Sequence, residues 1–77
     1  MVKKIPRCIS FGQAVRRQRV KQGYSQEAFA SKAGIHRTYL GGLERGERNP
    51  TLLTIAKIAR ELGLSVEELF RTERIDE

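Results

Sequence analysis

QEAFASKAGIHRTYLGGLER, residues 26–45, reads as two short helices joined at Gly34. Phe29 and Ala33 stand four apart, Leu40 and Leu43 three apart, so each helix has one face to bury. Ala30 lies where the second helix would cross the first, and a larger side chain there would hold the two apart. Gly34 can take φ > 0, which lets the chain turn sharply where most residues could not. Ile35 closes the corner from below. The pattern predicts two helices meeting at a steep angle through a tight turn.

Helices so joined form a helix-turn-helix, whose second helix is the one shaped to enter the major groove of DNA. The residues on either side extend the pattern. Phe11-Gly12 with Val15-Arg16 and Arg19, and Tyr24-Ser25-Gln26-Glu27, resemble the first helix and the entry to the second in the phage Cro/repressor type, or XRE family, of bacterial transcription regulators. Arg37-Thr38-Tyr39-Leu40 resembles the start of that family's recognition helix. Leu43-Glu44-Arg45-Gly46 and Asn49-Pro50-Thr51 resemble its end and the loop beyond. Ile55, Lys57-Ile58-Ala59 and Leu62 with Ser65-Val66-Glu67-Glu68-Leu69-Phe70 resemble the closing helices. The resemblance spans residues 10–70. It implies an all-α fold: a compact five-helix, lambda-repressor-like DNA-binding domain.

Seventy-seven residues allow one small domain and no second core. The formal net charge is +6, and its distribution is uneven. Residues 1–23 hold seven Lys/Arg and no acid, residues 24–50 four against three, and residues 51–77 four against six. A basic front of this kind is the footprint of a polyanion binder, or else a tail that keeps the protein soluble. Cys8 is the single cysteine, so no internal disulfide can form, which agrees with a reducing, cytoplasmic setting. No apolar run reaches the length of a signal-peptide core or a membrane span, so the chain is expected to be soluble and unprocessed.

Taken in order, residues 1–9 are expected to form a flexible basic arm, because Pro6 discourages helix before it. Ser10 is the expected cap of a first helix from about Phe11 to Gln22, with Phe11, Ala14, Val15 and the stem of Gln18 facing inward. Ser25 should cap a second helix from about Gln26 to Ala33. His36 stands at the start of the third, which Gly46 ends. Thr51 can cap a fourth from about Leu52 to Leu62, with Leu52, Ile55, Ala56, Ala59 and Leu62 on one face. Ser65 and Glu68 form a capping box for a fifth from about Val66 to Arg71. The domain thus runs over residues 10–71, with a polar tail at residues 72–77.

Arg37, in the first turn of the recognition helix, is the first candidate for base reading. An arginine there can fork onto O6 and N7 of a guanine, worth about 1–3 kcal/mol of discrimination. Thr38 beside it can meet a thymine methyl or a phosphate. The alternative is that both are ordinary solvated helix residues. Gln26 opens the second helix, where free N–H groups suit a phosphate, and it can also reach across and steady the recognition helix. The family resemblance implies a DNA contact for it. His36 is read as a cap or a phosphate neighbour. Tyr39 either offers its hydroxyl to a phosphate or is wholly structural. Gly41 and Gly42 cost about 1 kcal/mol each inside a helix relative to alanine. They either let backbone approach a ligand closely or are tolerated drift. Arg45, Arg48 and Asn49 match a loop that grips phosphates in the family. Arg16 is a further backbone-contact candidate, whereas Arg19 is expected to have a structural partner in Glu44.

The last third of the chain carries more apolar side chains than one small core needs. Leu53, Ile58, Leu64, Val66, Leu69 and Phe70 are therefore assigned to an isologous homodimer interface, the alternative being a monomer that buries them. Such a dimer would place two recognition helices about 34 Å apart on an inverted repeat. With no sensor domain, regulation would follow from concentration. The resemblance is greatest to the controllers of restriction–modification systems. It implies a double-stranded operator as ligand, control of the chain's own operon and a candidate contact with RNA polymerase. The alternative is an antitoxin that binds a protein toxin and represses its own synthesis. No nucleophile–base pair, carboxylate pair, metal-ligand spacing or phosphate loop points to an enzyme, a metal or a cofactor. RNA binding lacks the exposed aromatics that stacking needs.

Overall fold

The structure, a computed structural model, describes residues 6–72. Five helices follow one another: α1 (Pro6–Lys21), α2 (Gln26–Ala33), α3 (Arg37–Glu44), α4 (Leu52–Leu62) and α5 (Val66–Arg71). The all-α, five-helix expectation holds, and the helix ends follow local chemistry. The Ser25 hydroxyl accepts from Ala28 N at 3.0 Å, Thr51 accepts from Thr54 N at 3.2 Å, and Ser65 and Glu68 complete their reciprocal box. Gly34 adopts φ 73° and ψ 33°, and Ile35 N donates to Ala30 O at 3.0 Å, so the corner between α2 and α3 is set by the one residue type that enters this region without strain.

Two boundaries differ from expectation. Helix α1 begins at Pro6, so residues 6–9 belong to the helix and Ser10 lies inside it rather than capping it. Proline opens a first turn readily, because its φ is already helical and its missing N–H would have no partner there. The new turn is also held, since Ile9 packs directly on the backbone of Gly46 at the end of α3. The rest of the expected arm, residues 1–5, lies outside the described residues. At the other end Thr72 is buried, not part of a polar tail. Its hydroxyl donates to Leu69 O at 2.6 Å and its carbonyl accepts from Arg17 Nη2 at 2.7 Å, which ties α5 to α1. Residues 73–77 lie outside the described residues.

The core gathers Phe11, Val15, Phe29, Ala30, Ala33, Leu40, Leu43, Ile58, Ala59, Leu62 and Leu69. Helix α4 is rotated from its expected setting. Ile58, Ala59 and Leu62 are buried, whereas Leu52 is 73 % exposed and Ala56 is also exposed. Ile58 and Leu69, assigned from sequence to a dimer interface, are fully buried within the protomer and cannot meet a partner. Leu64, Val66 and Phe70 are half-buried against the core, Phe70 with its ring 5.2 Å from that of Phe11. Leu53 is 67 % exposed.

The approach of α1 to α3 positions the outer face of α3. A Cβ at Gly12 would collide with the carbonyl oxygen of Leu43 and lie 2.7 Å from that of Glu44. Backbone therefore lies against backbone at this crossing, and α3 is seated directly on α1.

Candidate nucleic-acid interface

Arg37, Gly41 and Arg45 follow one another at intervals of four. Helical geometry therefore stacks them along one face of α3 and its exit, with Thr38 and Gly42 beside them. Leu40 and Leu43 occupy the opposite side and are buried. His36, Arg37 and Thr38 are exposed at the amino end. His36 occupies the cap position but makes no side-chain capping bond, so the N–H groups of that turn gain no partner from it. This leaves cationic and hydroxyl groups at the end of a short helix whose dipole favours anions.

A buried ion pair holds the helix in place. Arg19 Nε and Nη2 donate to Glu44 Oε2 and Oε1 at 2.7 and 3.0 Å, and Arg19 Nη1 donates to Tyr24 O at 2.8 Å. Both residues are only 6 % exposed. Gln26 Nε2 donates to Glu44 Oε1 at 3.0 Å. A single carboxylate thus joins α1, the start of α2 and the end of α3. Gln26 reaches across to the recognition helix as expected, and Arg19 has its expected partner.

Beyond α3 the cations are ordered by neighbours. Arg45 Nε and Nη2 donate to Glu47 Oε2 and Oε1 at 3.1 and 3.2 Å, and this bonding and charge raise the Arg45 pKa above its ordinary value. Arg48 lies over the Tyr39 ring at 5.8 Å from its centroid, a cation–π distance. Tyr39 is half-buried and serves as a platform for Arg48. Asn49 is exposed, and its Oδ1 accepts from the Cys8 thiol at 3.9 Å. Arg16 is exposed on α1, one turn beyond the Gly12 crossing.

Gly41 and Gly42 do not present open backbone. A Cβ at Gly41 would sit 3.2 Å from Arg45 Nη1 and 3.7 Å from Gln26 Oε1; one at Gly42 would sit 3.2 Å from both Cγ and Nε of Arg48. The glycines are covered, and what they supply is room for two arginine side chains to lie along the helix. Sequence reasoning missed Glu47 as a partner of Arg45. The only available signal was an acid two residues past an arginine, just beyond a helix-ending glycine. Among the described residues no group of His, Cys, Asp and Glu could hold a metal ion, and no helix is long and apolar enough to cross a membrane.

A short helix anchored by a buried carboxylate, with arginines on its outer face and exit loop, is built as the second helix of a helix-turn-helix, and the family match makes the chain a DNA-binding transcription regulator. The chain belongs to the helix-turn-helix family, whose model matches residues 15–69. It is 45 % identical over 60 residues to the control protein C.BamHI of Bacillus amyloliquefaciens, covering 77 % of this chain and 74 % of that one. The crystal structure of the restriction–modification controller C.AhdI from Aeromonas hydrophila superposes with a TM-score of 0.83 at 42 % identity, covering 86 % of this chain and all of that one. SinR, a master regulator of biofilm formation solved in complex with DNA, superposes with a TM-score of 0.74 at 34 % identity, covering 78 % of this chain and 97 % of that one.

Proposed function

We propose that the chain is a sequence-specific regulator in the manner of a restriction–modification controller, working in the cytoplasm as a homodimer on an inverted-repeat operator of its own operon. The observation that carries the reading is the exposed first turn of α3, with Arg37 and Thr38 outward, on a helix fixed by the Arg19–Glu44–Gln26 network. Likeness to C.BamHI and C.AhdI supports the controller assignment, and the DNA-bound SinR structure supports DNA as the ligand. Arg37 reads a base edge, with Thr38 beside it. Gln26, His36, Arg16, Arg48 and Asn49 hold the phosphate backbone and set the register. Arg45 lies between the two groups. The position of the operator decides whether the bound dimer blocks RNA polymerase or touches it.

Arg37→Ala tests the assignment. Binding to a duplex selected from a random pool should weaken about tenfold, within the range for one bidentate base contact, while binding to unselected duplex changes little. An equal loss on both would make Arg37 a phosphate contact.

The dimer surface proposed here is narrower than the sequence suggests. Leu52 and Leu53 at the exposed start of α4, with the half-buried Leu64, Val66 and Phe70, are the apolar side chains left for it. An open groove of about 280 Å³, lined in part by Phe11, Pro50, Ile55 and Phe70, reaches the same α4–α5 region. Leu53→Asp should yield monomers in sedimentation equilibrium with helicity unchanged. A persisting dimer would place the contact elsewhere.

A further inference from the structure

We propose that Glu47 makes an autoinhibitory contact: it occupies the Arg45 guanidinium of the free protein in the two-point manner a phosphate would use, so that DNA recruits Arg45 only by displacing a carboxylate. This rests on the reading above that Arg45 faces DNA.

The geometry is built in rather than incidental. Gly46 N donates to Leu43 O at 3.0 Å and Glu47 N donates to Gly42 O at 2.9 Å. This double bond pattern closes α3 around its terminal glycine and fixes the backbone of residue 47. The Glu47 side chain is only 22 % exposed, whereas that of Arg45 is 57 % exposed. Arg45 folds back along α3, its Nη1 3.2 Å from where a Cβ at Gly41 would stand. Its Nε and Nη2 are both committed to the two oxygens of Glu47. A carboxylate held at that edge has the charge and the bite of a phosphate.

An exposed ion pair is worth little, equivalent to about a two- to fivefold change in an equilibrium at most. That is the size suited to tuning. On arbitrary DNA, Arg45 gains only a phosphate contact, so the competing carboxylate weighs in full. On an operator the complex has base contacts in addition, but the cost of opening the pair is the same there. The pair thus lowers affinity for all DNA by one factor and leaves the ratio between sites unchanged.

Glu47→Gln tests this, since it removes the charge and keeps the shape. Its affinity for a random-sequence duplex should rise about two- to fivefold. The salt dependence on that duplex should keep its slope, because wild type and variant close on the same phosphates. Affinity for a duplex recovered by selection should rise by the same factor, so the ratio between the two holds. In an Arg45→Ala background Glu47→Gln should have little effect. An undiminished gain in that background would mean Glu47 merely repels DNA, and unchanged affinity for both duplexes in Glu47→Gln alone would mean no competition exists. Either result overturns the proposal. Arg45→Ala with no effect on either duplex overturns the placement of Arg45 itself, while leaving the Arg37 test untouched.

Discussion

Glu44→Ala is expected to destabilise the fold by about 3–5 kcal/mol, the cost of leaving one member of a buried ion pair alone. Arg19 would remain only 6 % exposed with just the Tyr24 carbonyl as acceptor. Gln26 would also lose its bond to the recognition helix. Urea unfolding should show the midpoint falling sharply, with little change in slope. Glu44→Gln, which keeps the shape and two acceptor lone pairs, should cost less. The double variant Arg19→Met, Glu44→Leu should recover most of the loss, because apolar replacements of similar volume need no counter-charge. Recovery of stability without recovery of DNA binding would show that the network serves chiefly to orient the reading helix. A Glu44→Ala protein as stable as wild type would mean water already solvates this pair, contrary to its burial.

Gly12→Ala should cost stability at the upper end of the about 1–3 kcal/mol typical of overpacking. The added methyl meets the carbonyls of Leu43 and Glu44, which are backbone and cannot rotate aside. To accept it, α1 must withdraw from α3, loosening the Arg19–Glu44 pair on the same face. Thermal melting should register the loss, and DNA affinity at temperatures where the variant is folded should fall as well. Full stability would show that α3 slides freely on α1. That outcome would also remove the basis for treating the recognition helix as rigidly mounted.

Much of this molecule is legible from the sequence because its signals are local. The Gly34 corner, the Ser25 and Thr51 caps and the Ser65–Glu68 box each depend on residues within one turn of one another. The Arg19–Glu44 pair is legible because α1 can turn only one face outward, which leaves Arg19 in need of a partner. The setting of α4 is less so, since the stripe Leu52, Ile55, Ala59, Leu62 and the stripe Ile55, Ile58, Ala59, Leu62 obey the same helical period. Which one turns inward depends on where α1, α2 and α5 end. Ile58 and Leu69 look superfluous when apolar residues are merely counted, and only the packed core shows that they are needed. Residues 6–9 look like an arm until Ile9 is seen resting on Gly46. For the site, the outward face of α3 follows from periodicity. The Arg45–Glu47 and Arg48–Tyr39 pairings depend on the route of the chain after Gly46, which no repeat announces.

The glycines at the heart of this fold differ in what they forbid. At Gly12 a methyl group runs into fixed backbone, whereas at Gly41 and Gly42 it meets only the movable ends of Arg45, Gln26 and Arg48. These two positions on α3 can therefore take a new side chain if the arginine ends move by a few tenths of an ångström, and an alanine there would also stiffen the helix by about 1 kcal/mol per site. On the proposed DNA reading, one or two replacements there would change the operator preference without disturbing the scaffold that carries them.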